Sequence, residues 1–250
     1  MDLATFLVQC LNSVQYGLLL FLLASGLTLI FGIMGVINLA HGSFYMIGAY
    51  VAFSLAPYLD HHFVTMLLVG VLITVVLGYV LEWAFFSFLY ERDHLQQVLM
   101  TYGLILVFEG LRAILVGNDV HGVEKPAWLA GSFPLMGMMQ YPWYNVFAAA
   151  ACLLVALLMY YTVNRTRLGM MIRAGASNRD MVRGLGINIK RQYRIVFAVG
   201  VALAALAGMI AAPMSSVYPN MGSSVLIICF VVVVIGGIGS ITGALIASLL

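Results

Sequence analysis

The stretch M-I-R-A-G-A-S-N-R-D-M-V-R-G-L-G-I-N-I-K-R, Met171 to Arg191, lies at the centre of the one strongly basic region of this chain. Eight of the eleven Lys and Arg residues fall between Arg165 and Arg194, where Asp180 is the single acid. Short loops rich in Lys and Arg stay on the cytoplasmic side of a membrane. The stretch therefore predicts a cytoplasmic loop, residues 164–192, which sets the orientation of the segments on either side.

The rest of the chain is strongly apolar. Of 250 residues, 64% are hydrophobic and only 8% are charged, whereas a water-soluble domain carries about 25% charged residues. This composition excludes a soluble domain and predicts a chain embedded in a lipid bilayer. The net charge of +2 gives no reason to expect a nucleic acid partner.

A helix needs about 20 mainly apolar residues to cross a bilayer, and seven apolar segments of this chain are close to that length or exceed it. The sequence thus predicts an all-α, polytopic transmembrane helical bundle that forms a single domain over residues 1–250. With the basic loop inside, the polar stretch Gly117 to Tyr141 lies outside, and so does the N-terminus. The predicted segments are Leu11–Ile33, Leu39–Ala56, Val64–Tyr90, Val98–Val116, Pro142–Val163, Tyr193–Ala212 and a run from Ser223 to Leu250.

The segment F-G-I-M-G-V-I-N-L-A-H-G-S-F-Y-M-I-G-A-Y, Phe31 to Tyr50, combines several glycines with two polar side chains between apolar runs. Glycine loosens a helix, and unwound backbone at membrane depth survives only where protein or water satisfies it. Asn38, His41 and Gly42 are therefore candidates for a transport path. A tight cytoplasmic turn between two ordinary helices is the alternative interpretation.

A second glycine-rich segment is V-I-G-G-I-G-S-I-T-G-A-L-I-A-S, Val234 to Ser248. Gly239 lies four residues before a further glycine, a spacing that allows close helix packing. The pair Gly236 and Gly237 predicts a helix break just before Ser240. Interrupted apolar segments in both halves of a chain indicate a translocation site, so we expect these four residues to line the path as well.

Within the basic loop, a short helix is predicted from Arg179 to Leu185, with Gly186 as its C-terminal stop. Met181 and Leu185 share one face of this helix. The loop either binds lipid headgroups or docks its apolar face on a cytoplasmic partner; exposed apolar residues favour docking.

Few charges lie inside the predicted spans. Glu109 and Arg112 are three residues apart and are expected to neutralise each other. Glu82 or Glu109 is also the residue type that an ion-coupled carrier would need. No nucleotide-binding loop, zinc motif or cysteine pair is present, so no cofactor and no metal are expected.

Three of these strings together resemble the permease subunits of branched-chain amino acid ABC importers. They are G-V-I-N-L-A-H-G-S-F-Y-M-I-G-A-Y, R-A-G-A-S-N-R-D-M-V-R-G-L-G-I-N and G-G-I-G-S-I-T-G-A, and T-Y-G-L-I-L-V-F-E-G-L, Thr101 to Leu111, supports the resemblance. The resemblance implies a transport subunit without its own ATPase. It also implies that the cytoplasmic loop couples to an ATPase through Arg173, Ala174, Ala176, Asp180, Met181, Arg183, Leu185 and Gly186.

The same resemblance implies the assembly and its location. We expect a second homologous permease, two cytoplasmic ATP-binding subunits and an external solute-binding protein, in the inner membrane of a bacterium. It also leads us to expect an eighth span beyond Leu250. The expected substrates are leucine, isoleucine and valine. Urea, amides and other amino acids are alternatives within this architecture, and an ion-coupled secondary carrier is the alternative from another class.

Overall fold

The computed structural model describes residues 3–59, 62–90, 92–135, 139–177, 179–184, 186 and 188–250. Within these residues the chain forms ten α-helices and one β-hairpin. The helices are α1 (Leu3–Met34), α2 (His41–Leu55), α3 (Phe63–Ala84), α4 (His94–Leu115), α5 (Trp143–Arg165), α6 (Arg167–Ser177), α7 (Arg179–Gly184), α8 (Ile189–Ala211), α9 (Met221–Gly236) and α10 (Ile241–Leu249).

Five stretches of the described chain are helical, long and apolar enough to cross a membrane: those based on α1, α3, α4, α5 and α8. The pair α9 and α10 counts as a sixth if both are taken together, although they meet at an angle of 117°. The predicted all-α polytopic bundle with broken elements is confirmed. The predicted segment Leu39–Ala56 does not form a helix long enough to cross the membrane. Its helix, α2, has only 15 residues and is about 22 Å long, whereas a hydrocarbon core is about 30 Å thick.

Helix α8 lies at the centre of the bundle and packs against α1, α2 and α3. Most residues of α1 and α8 are buried, whereas only about a quarter of the residues of α3, α4 and α5 are buried. Helix α5 is tied to the centre by the Tyr144 hydroxyl, which donates to the carbonyl oxygen of Ile210 at 2.8 Å. The peripheral helices thus present apolar faces outward, as expected for a protein surrounded by lipid.

The central contacts depend on small residues. A Cβ atom at Gly48 in α2 would lie only 2.0 Å from the carbonyl oxygen of Ala205 in α8. On the other side of α8, a Cβ atom at Gly26 in α1 would lie 2.5 Å from the carbonyl oxygen of Gly200. Helix backbones approach this closely in membranes only where side chains are absent or very small.

The polar stretch that was predicted as an external loop contains a β-hairpin, which the sequence analysis missed. Strand β1 (Ser132–Leu135) pairs antiparallel with β2 (Met139–Pro142), and Phe133 lies opposite Tyr141. An isolated bridge between His121 and Val217 joins the same stretch to the connection between α8 and α9. These pairings satisfy backbone groups that a loop next to the bilayer would otherwise expose.

We expect Gly48→Ala to lower the stability of the folded bundle by about 1–3 kcal/mol, because the added methyl group overpacks the contact between α2 and α8. Gly110→Ala in α4 is the matched control, since no atom lies within 4 Å of the new Cβ position. The control gains helix propensity and should be neutral or slightly stabilising. Thermal unfolding in detergent, followed by size-exclusion chromatography, measures both; equal stability of the two variants would contradict the packing account.

Candidate functional site: two helix breaks and a basic segment

The first glycine-rich segment breaks the chain between α1 and α2. Helix α1 ends at Met34, Gly35 follows with a positive φ of 65°, and the chain then turns back toward α1. The backbone N–H of Ile37 donates to Oε1 of Gln97 at the start of α4, at 3.3 Å. The six residues between α1 and α2 are thus tied to α4, and both interpretations of this segment, a transport path and a tight cytoplasmic turn between two ordinary helices, stay predictions.

His41 shows how far the chain re-enters the bundle. Its side chain is fully buried, and Nε2 lies 3.0 Å from the carbonyl oxygen of Leu23. Leu23 precedes the end of α1 by eleven residues, or about 16 Å at 1.5 Å per residue. The side chain at the start of α2 thus contacts α1 within its length and not at its end.

Asn38 and His41 each keep one polar atom without a protein partner among the described residues. Asn38 is fully buried, and its Oδ1 accepts a hydrogen bond from the N–H of Ala40 at 3.0 Å, while its Nδ2 is unpaired. A carbonyl only accepts, so His41 donates from Nε2, and its unpaired Nδ1 is an acceptor in the neutral ring. A buried donor and a buried acceptor without partners are costly, so a polar binding group is favoured here.

The second glycine-rich segment forms the predicted break. Helix α9 ends at Gly236, and both Gly237 (φ 87°) and Gly239 (φ 82°) have backbone conformations that L side chains rarely adopt. The Ser240 hydroxyl then accepts a hydrogen bond from the N–H of Gly243 at 3.0 Å and caps α10. The break predicted from Gly236 and Gly237 is confirmed.

Two close backbone approaches involve the first segment, and the one at Gly32 reaches the second segment. A Cβ atom at Gly32, near the end of α1, would lie 2.6 Å from Cα of Gly239. A Cβ atom at Gly42 would lie 2.2 Å from the carbonyl oxygen of Gly222, at the start of α9. The hydrogen bond of His41 is made nearer the N-terminus of α1, at Leu23, which lies about 14 Å from Gly32 along the helix.

The basic segment forms two short helices, α6 and α7, before α8. Helix α7 (Arg179–Gly184) matches the predicted helix, and Gly186 has the positive φ of 78° expected of a helix stop. Leu185 lies outside the described residues. Three of the other candidate residues, Arg173, Ala174 and Ala176, belong to α6, and the first two are exposed. The remaining three, Asp180, Met181 and Arg183, belong to α7, and the Met181 side chain is 66% exposed.

Contacts that the sequence analysis missed attach this segment to the bundle. Val182 in α7 is buried in the apolar core, and Nε2 of Gln192 in α8 lies 3.0 Å from Sδ of Met171 in α6. Arg173 donates from Nη1 to the carbonyl oxygen of Val163 at the end of α5. Ile172 of α6 and Val196 of α8 both line a cavity of about 210 Å³.

The two carboxylates inside the bundle are both ion-paired. Oε2 of Glu109 lies 2.9 Å from Nε of Arg112, as predicted, and Oε1 of Glu109 accepts from the N–H of Asn220 at 3.2 Å. Glu82 is fully buried; its Oε2 lies 3.0 Å from Nε of Arg194, and its Oε1 accepts from the Tyr90 hydroxyl. The pairing of Glu82 with Arg194 was missed, because 112 residues separate them.

No group of three or more His, Cys, Asp or Glu side chains is placed to bind a metal within the part of the chain that the structure describes.

Comparison with known proteins gives consistent matches over nearly the whole chain. The family model described as branched-chain amino acid transport system / permease component matches residues 9–250. The permease protein BraD of the high-affinity branched-chain amino acid transport system of Pseudomonas aeruginosa is 30% identical over 98% of this chain and 83% of BraD. The corresponding LivH of Escherichia coli K12 is 29% identical with the same coverage. The ribose import permease RbsC of E. coli K12 is 32% identical over 52% of this chain and 36% of RbsC. No solved structure matches the chain.

Glu82→Gln should destabilise the bundle, because it leaves the Arg194 guanidinium without its anion. Removing one partner of a buried ion pair costs about 3–5 kcal/mol, and we expect the lower end because the Arg194 side chain is 27% exposed. The double variant Glu82→Gln/Arg194→Gln should recover part of this loss. Thermal unfolding of the two single variants and the double variant measures the coupling; strictly additive effects would show that the pair does not stabilise the fold.

Proposed function

This chain belongs to the family of branched-chain amino acid transport system permease components, and we propose that it is the membrane subunit of an ATP-driven importer for leucine, isoleucine and valine. The observation that carries the proposal is the family match over residues 9–250, which spans both helix breaks and the basic segment. BraD and LivH, whose names give branched-chain amino acids as their substrates, support the choice of substrate.

The proposed path runs along the two broken elements. Asn38, His41 and Gly42 lie where α2 begins inside the bundle, and Gly236, Gly237, Gly239 and Ser240 form the joint between α9 and α10. The contact between Gly32 and Gly239 links the two elements, so a movement of α9 and α10 would be transmitted to the end of α1. The unpaired atoms of Asn38 and His41 would bind polar groups, including water or a passing substrate.

The proposed coupling segment comprises residues 164–192, with Arg173, Ala174, Ala176, Asp180, Met181, Arg183, Leu185 and Gly186 facing an ATPase. The exposure of Met181, on a segment whose positive charge predicts a cytoplasmic location, supports this role. A displacement of α7 would be transmitted to the core through the buried Val182, and a displacement of α6 would be transmitted to α8 through the contact between Met171 and Gln192. Because α8 packs on both α1 and α2, it would then move the helix break.

The proposed assembly contains a second homologous permease, two cytoplasmic ATP-binding subunits and an external solute-binding protein, in a bacterial inner membrane. In this assembly the chain is not an enzyme, and ATP hydrolysis takes place in the partner subunits. Affinity for the amino acid would come mainly from the external binding protein, in keeping with the small number of polar side chains inside the bundle.

The alternative of an ion-coupled carrier has less support. Such a carrier needs a buried carboxylate that binds and releases a cation. Glu82 uses both oxygens for Arg194 and Tyr90, and Glu109 uses both for Arg112 and Asn220. Neither carboxylate has an oxygen without a hydrogen-bonding partner.

Uptake of labelled leucine into vesicles tests the proposed function. Vesicles that contain this chain, its homologous permease and the ATP-binding subunits should take up leucine only with ATP and the binding protein present. Ionophores that collapse proton and sodium gradients should leave the initial rate unchanged. Uptake without the ATP-binding subunits, driven by an ion gradient, would overturn the proposal.

A competition series in the same vesicles tests the substrate separately. We expect excess isoleucine or valine to reduce leucine uptake at least tenfold, and urea or acetamide to leave it unchanged. ATP-driven uptake of urea that leucine does not inhibit would retain the importer and reject the branched-chain substrate.

Met181→Asp should weaken binding of the ATP-binding subunits, because it places a charge on the exposed apolar surface of α7. Co-purification with tagged ATP-binding subunits should fall about tenfold or more, while the folded yield of the chain is unchanged. Val120→Asp, which changes an exposed apolar residue of the external stretch, is the matched control. Undiminished co-purification of the Met181 variant would contradict the proposed docking surface.

A further inference from the structure

A cleft between the end of α3 and the start of α8 has two positive charges beside aromatic side chains. Its volume is about 480 Å³, and we call it the Lys190 cleft. Its lining is formed by Trp83, Ala84, Ser87, Phe88, Lys190 and Arg194. Its lining contains none of the residues named above for the path or for the ATPase contact, although Lys190 belongs to the end of the coupling segment.

The electrostatics of the cleft favour an anion. Lys190 is exposed and lies one helical turn before Arg194, so both cations face the same side of α8. Among the described residues that line the cleft or contact its two cations, Glu82 is the one carboxylate; it is fully buried, and its oxygens accept hydrogen bonds from Arg194 and Tyr90. These described residues together carry one positive charge in excess.

The apolar surroundings identify the class of anion. Trp83 is 60% exposed and Phe88 is 71% exposed, although both are large aromatic residues. Above them, α3 exposes Leu72, Val76 and Val80 in a continuous row at helical spacing. Aromatic side chains mark the headgroup level of a bilayer, and basic pockets between helices on its cytoplasmic side bind anionic headgroups.

We propose that the Lys190 cleft binds an anionic phospholipid of the cytoplasmic leaflet. The phosphate contacts Lys190 and the exposed part of Arg194, the headgroup lies against Trp83 and Phe88, and the acyl chains follow the exposed row of α3. The row of exposed apolar side chains that continues from the cleft matches the interior of a bilayer. The inference does not depend on the identity of the transported substrate.

Quenching of Trp83 fluorescence by brominated lipids tests the proposal on the full chain. The variant Trp128→Phe/Trp143→Phe leaves Trp83 as the single tryptophan, since the chain contains three. In vesicles, brominated phosphatidylglycerol should bind at Trp83 about fivefold more strongly than brominated phosphatidylcholine, the effect expected of one lysine near a membrane surface.

Two lysine variants in this background provide the matched comparison. Lys190→Gln should abolish the preference for phosphatidylglycerol, and Lys190→Arg should keep it. Lys125→Gln removes the same charge from the external stretch and should also keep the preference. Equal binding of the two lipids to the parent, or an unchanged preference in Lys190→Gln, would overturn the proposal. Relief of the quenching by millimolar inorganic phosphate would show a site for soluble anions and would overturn it as well.

Discussion

The close approach of three helix backbones is the constraint on which the rest of the structure depends. Gly26 faces Gly200 where α1 meets α8, and Gly48 faces Ala205 where α2 meets α8. Lipid provides little hydrophobic driving force between helices, so van der Waals contact between backbones holds these elements together. Because α8 contacts both partners through small residues, it sets the position of α2 relative to α1.

Polar interactions inside the bundle follow from this arrangement. Once α2 begins beside the middle of α1, the ring of His41 reaches the carbonyl oxygen of Leu23. The same central helix carries Arg194, which reaches across to Glu82 in α3 and neutralises this fully buried carboxylate. The ion pair and the histidine bond thus fasten α8 and α2 to their neighbours, and the glycine contacts set the distances at which they form.

The sequence predicted the class of fold and the position of both helix breaks, because glycine clusters and apolar periodicity are local signals. Helix α7 and the stop at Gly186 were predicted for the same reason, and so was the pairing of Glu109 with Arg112, which are three residues apart. The site residues of the coupling segment and of the path remain predictions.

Other features depend on contacts between distant parts of the chain, which a single sequence does not reveal. Glu82 and Arg194 have no local pattern in common, and the bridge between His121 and Val217 joins two loops far apart. The predicted second segment, Leu39–Ala56, is longer than helix α2, His41–Leu55. Hydropathy shows that a segment is apolar but not where its first residue lies in the fold, so the sequence could not show that α2 begins inside the bundle.

The depth of α2 is the central claim, and a cryo-electron microscopy map of the chain in a lipid nanodisc measures it most directly, since both edges of the bilayer are visible. The account predicts that α2 begins near the middle of the bilayer, with His41 in hydrogen-bonding contact with Leu23. A map in which α2 begins at the cytoplasmic edge, level with Met34 at the end of α1, would contradict it.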